Sequence, residues 1–160
     1  MPEMTDPSNA MVSFQEVLSA GGLTPFPAAL DRNLFVYADE AMGVARIVYV
    51  RLDGGTVTAF VNFAESEPID GIRCFGIGYA VPKAYRGHGR AKDAVAAALA
   101  EMRHGFRRNG LSALYVEAVI GVDNLASQHV AAAAISGDPA KVTDSVSGLP
   151  AFRYLVDIMV

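Results

Sequence analysis

Cys74 to Met102 reads CFGIGYAVPKAYRGHGRAKDAVAAALAEM, a strand, a tight glycine-bearing loop and then a long helix. Cys74–Val81 is apolar and spaced by glycines, as a buried strand is, and Pro82 removes a backbone donor and ends it. Tyr85–Arg90 carries Gly87 and Gly89 together with Arg86 and Arg90. From Ala91 the pattern turns helical: Ala91, Val95, Ala98, Leu99, Met102 and Phe106 share one face. Physically the loop is an anion cradle. Glycine lets the backbone approach a ligand and take positive φ without a side-chain clash. The free N–H groups of the first helical turn, with the macrodipole, favour negative charge there. A strand-to-helix turn alone would also explain the glycines. Two arginines at a helix start argue for an anion, because cations at that end oppose the dipole, by up to ~1 kcal/mol.

Outside this stretch the chain sets bounds. Its 160 residues suit one domain over 1–160 that buries roughly two thirds of its unfolded surface, with 1–11 flexible. At 52% hydrophobic and 19% charged it is globular. A net charge of −4 argues against a nucleic-acid partner and suits a cationic amine. One cysteine excludes an intramolecular disulfide framework. The start lacks a basic region with a long apolar run, and no run approaches the ~20 residues of a membrane span. The expectation is a cytoplasmic protein with no membrane partner.

In chain order, Ser13-Phe14-Gln15-Glu16 matches a capping box and Gly21-Gly22 a stop, predicting a short helix over 13–20. Thr24–Ala28 reads as a loop. Strands are expected at Leu34–Tyr37, Ala45–Leu52 and Thr56–Phe63, with a hairpin at Asp53-Gly54-Gly55 and a loop over Glu65–Gly71 that contains Pro68. After the central helix, which Asn109-Gly110 closes, Leu114–Ile120 is a strand that a right-handed crossover would lay parallel to the Cys74 strand. A helix to about Ile135 opens at Asn124, Lys141–Val146 is a short strand, and Ala151–Val160 is a final one.

Arg86-Gly87-His88-Gly89-Arg90-Ala91, between strand and helix and preceded by Gly78-Tyr79-Ala80-Val81-Pro82, resembles the GNAT superfamily of acyl-CoA-dependent N-acetyltransferases. The family signature is Arg or Gln, two residues, Gly, one residue, then Gly or Ala. The resemblance covers about Leu34–Ile135. It implies an α/β (α+β) GNAT fold: a mixed, mostly antiparallel sheet of six or seven strands, flanked by helices and split between the fourth and fifth. It implies acetyl-CoA as co-substrate, held by Tyr79, Ala80, Val81, Arg86, Gly87, His88, Gly89, Arg90 and Ala91. Asn124 and Ser127 would meet the pantetheine, although Asn124 reads equally as an N-cap. The three histidines share no metal-ligand spacing, so no metal is expected.

Two family positions are departed from. Gly76 stands where many members carry a basic carboxylate, and Ala131, seven residues after Asn124, stands where they carry an acidic tyrosine. The substitutes within reach are Glu117, Tyr79, His129 and Tyr154, and a water relay shared among several groups is the expectation. Glu117 also reads as a solvated strand residue, His129 as a surface histidine and Tyr79 as core. Cys74 in an apolar strand reads as a small buried hydrophobe.

Three functions follow for comparison. The leading one is acetyl transfer from acetyl-CoA to a primary amine, on a small molecule or a peptide. The second is an acyl-CoA-binding sensor or subunit without turnover, motivated by the two missing groups. A dinucleotide-binding loop, raised by Gly76-x-Gly78, fails because no third glycine follows and Pro82 stands where the helix should begin. A homodimer is expected from the alanine-rich 131–134 helix surface and an apolar last strand.

Overall fold

A computed structural model describes residues 6–160. Its order is α1 (Pro7–Ser19), β1 (Phe26–Pro27), β2 (Leu34–Ala41), β3 (Val44–Asp53), β4 (Thr56–Ile69), β5 (Ile72–Ala80), a 3-10 turn (Lys83–Tyr85), α2 (Arg90–Arg108), β6 (Tyr115–Gly121), α3 (Leu125–Ala134), β7 (Ala140–Thr143) and β8 (Pro150–Asp157). The strands form one sheet in the order β1-β2-β3-β4-β5-β6-β8-β7. Among the described strands only β5 and β6 run parallel. On one face α2 and α3 bury Val95, Ala98, Met102 and Ala131 with Phe75 and Val116. On the other, Met11 and Phe14 of α1 pack on Val50, Phe60 and Ala80.

Tight turns make the meander. Met42-Gly43 and Asp70-Gly71 both take positive φ at both residues (53° and 78°, 50° and 79°), the twist that closes a two-residue hairpin. The second of these corrects the expected loop over Glu65–Gly71, because β4 continues to Ile69. Pro68 falls between the Ser66–Cys74 and Ile69–Ile72 pairs, in a step where the register shifts and its missing N–H leaves no ladder bond unmade. The eighth strand, one more than expected, is Phe26–Pro27 on Val36 and Phe35.

Helix α1 starts at Pro7, not Ser13. Asp6 caps it, accepting from the Ser8 N–H at 2.9 Å, and proline is already preset for the first helical position. Met11 is buried, so the flexible start expected over 1–11 is corrected for Pro7–Met11; residues 1–5 lie outside the described residues. The short strand sits at Ala140–Thr143 rather than Lys141–Val146. The last strand stops at Asp157 and lies between β6 and β7, so it is no open edge. Ala131 is buried as well, which leaves exposed Ala132, Ala133 and Val160 of the features that suggested a dimer. None of the described helices is long and apolar enough to cross a membrane.

Helical period did not reveal Glu101. It is buried on the inner side of α2, where its carboxylate accepts from Leu30 N (3.0 Å to each oxygen) and Asp31 N (2.7 Å). That contact ties α2 to the turn that starts β2. Beside it, Arg51 reaches Asp31 (2.8 Å) and Asp93 (3.2 Å). Glu101→Ala strands two partly buried N–H groups, so urea unfolding should show a loss of about 2–3 kcal/mol, and a loss below ~0.5 would remove the carboxylate from the account of the fold.

Candidate active site

Strands β5 and β6 pair at Cys74–Tyr115, Phe75–Val116 and Gly76–Glu117, and no further. Beyond Gly76, β5 stays on β4 as far as Ala80 while β6 stays on β8 as far as Gly121. A cavity of about 810 Å³ opens in the gap. Its lining includes Gly76–Tyr79 on one side and Glu117 and Val119–Val122 on the other, with Asn124 and Ser127 at the start of α3. On β5 the backbone groups that alternate away from β4 have lost their strand neighbour, and an extended amide-bearing chain can pair with them.

At the end of β5 the loop turns into α2. Gly87 (φ 85°) and Gly89 (φ 70°) both occupy left-handed conformations, and a Cβ built on either meets no atom within 4 Å. The first helix-closing bond runs from Asp93 N to Gly89 O at 3.0 Å. The N–H groups of residues 90–92 therefore have no backbone acceptor among the described residues. Arg86 is partly committed, since its Nε donates to Val81 O (2.9 Å) and holds the loop onto the strand end. The Arg90 guanidinium lies 5.2 Å from the Tyr85 ring centroid. His88 is exposed. The donors, charge and open space fit a pyrophosphate.

The four proton-transfer candidates separate. Glu117 and Tyr79 line the cavity. His129 is exposed on α3 and Tyr154 is buried in the core, and neither lines it. Glu117 Oε2 accepts from Arg153 Nε at 2.8 Å, which fixes the carboxylate's direction. The Tyr79 hydroxyl crosses the gap and donates to Ser127 O at 2.6 Å. Burial first, and then the neighbouring Tyr154, push the Tyr79 phenol far above its ordinary range, so it stays neutral. Burial likewise raises the Cys74 thiol, which leaves it a packed hydrophobe. Asn124 does cap α3, accepting from Ser127 N at 3.2 Å, while it also lines the cavity.

Sequence reasoning missed Pro7, Asn62, Asp144 and Leu149, which all line the cavity. Only Asn62 left a signal, an amide inside the otherwise apolar run Ala59–Phe63. Asp144 accepts from the Ser147 hydroxyl (2.7 Å) and N–H (3.0 Å). Burial pushes its carboxyl up, but those bonds outweigh it and hold the group below its usual range.

The family model described as "Acetyltransferase (GNAT) family" matches residues 14–134. This chain belongs to the GNAT acetyltransferase family. The GNAT fold expected from the loop is the one present, split where the parallel pair parts. Among solved structures, a GNAT acetyltransferase from Streptococcus pneumoniae is similar at TM-score 0.52 and 11% identity, over 70% of this chain and 66% of that one. yncA, a putative acetyltransferase from Salmonella typhimurium described with its cofactor acetyl-CoA, gives 0.52 and 18%, over 71% and 65%. An N-acetyltransferase from Staphylococcus aureus Mu50 gives 0.51 and 18%, over 71% and 68%. The GNAT chain described here thus spans a little under two thirds of the first two, and these likenesses are of fold. No curated protein matches it.

The loop has a direct test. Gly89→Asp puts a side chain on a left-handed φ and a negative charge among unpaired N–H groups. Calorimetric titration with CoA should show affinity reduced at least about tenfold, ~1.4 kcal/mol. An unchanged Kd would mean that the loop is not the anion cradle.

Proposed function

We propose that this GNAT protein transfers an acetyl group from acetyl-CoA to a primary amine. The observation that carries the reading is Glu117, a carboxylate in the open gap and in register with Gly76. In a parallel pair, register partners project to the same face, and a Cβ at Gly76 would meet only Ala64 O, at 3.8 Å. The carboxylate missing from β5 is thus replaced from the next strand, with room left in front of it.

Acetyl-CoA would supply an activated thioester carbonyl. Family membership, the unpaired β5 edge and the open N–H groups at Gly89–Lys92 support its binding, and the Salmonella relative is described with that cofactor. Glu117, oriented by Arg153, takes a proton from the incoming ammonium directly or through water. The freed nitrogen attacks the thioester carbon; a C–N bond forms, the C–S bond breaks, the thiolate leaves with the bonding pair, and the nitrogen gives up its second proton to water. That thiolate takes its proton from water, because the Tyr79 hydrogen is already donated to Ser127 O. Tyr79 is therefore assigned to holding α3 at a set distance from β5.

A second reading keeps the binding and drops the turnover. It is favoured by Ala131, fully buried with no hydroxyl where the family acid stands. One pair of measurements divides the two. Glu117→Gln should lower kcat by about 10²-fold with CoA affinity unchanged. A loss under about tenfold would return the proton to a shared water relay. If the unaltered protein binds acetyl-CoA yet releases no free thiol with any amine of a broad panel, the sensor reading replaces the enzyme.

A further inference from the structure

Among the described residues one buried side-chain polar atom lacks a partner, and the residue that carries it borders the cavity. Asn62 Oδ1 is buried without a hydrogen bond, and Asn62 lines the gap. It stands on β4 opposite Gly78. The surroundings are built to admit it: a Cβ at Gly78 would lie 2.5 Å from Asn62 Oδ1 and 2.9 Å from Pro7 Cγ. Neighbouring positions of β4 are apolar, and an unpaired buried amide end costs about 1–3 kcal/mol. An apolar residue there would spare the fold that cost. Its oxygen is sealed against Gly78 and Pro7, but the side chain as a whole is only partly buried and makes no hydrogen bond among the described residues, so its other end is left for a ligand in the cavity.

Three features of the same cavity say which ligand. Residues 76 and 78 share a face of β5, so their register partners Glu117 and Asn62 do too, on strands about 10 Å apart. Between them Gly76 leaves open floor, whereas Gly78 is covered by Pro7 and by Asn62 itself. The lining contains Glu117, Asp123 and Asp144 but no Lys, Arg or His; Arg153 balances Glu117 from outside the lining, and the two aspartates leave the cleft net acidic, which favours a cation over a free carboxylate. Val119 and Leu149, both substantially exposed, add an apolar wall.

Resting on the acetyltransfer reading, we infer that the acceptor is an α-amino amide with an apolar side chain, as at the N-terminal residue of a peptide. Its ammonium faces Glu117, its amide pairs with Asn62, and its side chain lies on Val119 and Leu149. A primary amide both donates and accepts. A ligand amide therefore complements Asn62 whichever end of that side chain faces the cavity. A plain alkylamine leaves Asn62 unpaired, and a free amino acid adds a carboxylate to an acidic cleft.

Leucinamide, isoamylamine and leucine test this, since they share the isobutyl group and carry a carboxamide, a hydrogen or a carboxylate beside the amine; the lower basicity of the leucinamide amine is the same for every protein variant, so the change on mutation reads the contact. With acetyl-CoA, kcat/KM for leucinamide should exceed that for isoamylamine at least about tenfold, the scale of one well-placed polar contact, with leucine no better than isoamylamine. In Asn62→Ala and in the near-isosteric Asn62→Leu the leucinamide preference should fall at least about tenfold, with CoA affinity serving as the check on folding. A preference near one in the unaltered protein, or one retained in both variants, overturns the inference while leaving acetylation of other amines standing. If none of the three is turned over, calorimetry on the CoA-bound protein decides. Tighter leucinamide binding that is lost in both variants upholds the recognition and sinks the catalysis; equal binding of leucinamide and isoamylamine sinks the recognition.

Discussion

The candidate site depends on three residue pairs, Cys74–Tyr115, Phe75–Val116 and Gly76–Glu117, being followed by none. Three parallel pairs hold the two halves of the sheet in one body. The missing fourth lets them part. On each side of the gap an antiparallel neighbour keeps its strand straight: β4 holds β5 and β8 holds β6. The opening is thus braced on both sides although its own edges are unpaired. Across it runs the Tyr79–Ser127 hydrogen bond, which joins β5 to α3. Unpaired strand groups cost free energy when buried, and the cavity is where that cost is met by solvent or by a ligand.

The same gap explains how a chain without the family's two proton-transfer side chains can still suit the chemistry. Catalysis by a positioned base asks where the carboxylate is, not which strand carries it. Parallel pairing sets Glu117 beside Gly76, and the Arg153 contact prevents the carboxylate from rotating into solvent. A side chain at position 76 would occupy the space in front of it. The glycine and the glutamate make sense only together. Ala131 and Tyr79 are related differently. Both lie at the β5–α3 contact, and the phenol that is present is committed to a carbonyl and kept neutral by burial.

Two further contacts place the working parts. Glu101, a carboxylate inside the core, fastens the middle of α2 to the start of β2, and so the cradle at the other end of α2 is held relative to the sheet. Pro7, the first residue of α1, packs over Gly78 beside Asn62 and closes one end of the cavity. The N-terminal helix is therefore a wall of the candidate acceptor site and not an appendage. Its start at Asp6-Pro7 matters for that reason, since a helix beginning at Ser13 would leave Gly78 uncovered.

Local signals in the sequence were enough for the loop, the helix after it and the strand before it, because glycine spacing, Pro82 and helical period act within a few residues. Those signals carried the family and most of the strand order. They did not carry the longer β4, whose Pro68 is tolerated only because the pairing across from it is irregular. Nor could they sort Glu117 and Tyr79 from His129 and Tyr154. Which of four polar side chains meets one cavity depends on strand register and on which face each element turns inward, and both are set by pairing between segments some forty residues apart. Asn62 stood in the sequence as an anomaly. Its meaning came only from Gly78 and Pro7, which lie against it, and from Glu117 across the same cavity, on three separate elements of the fold.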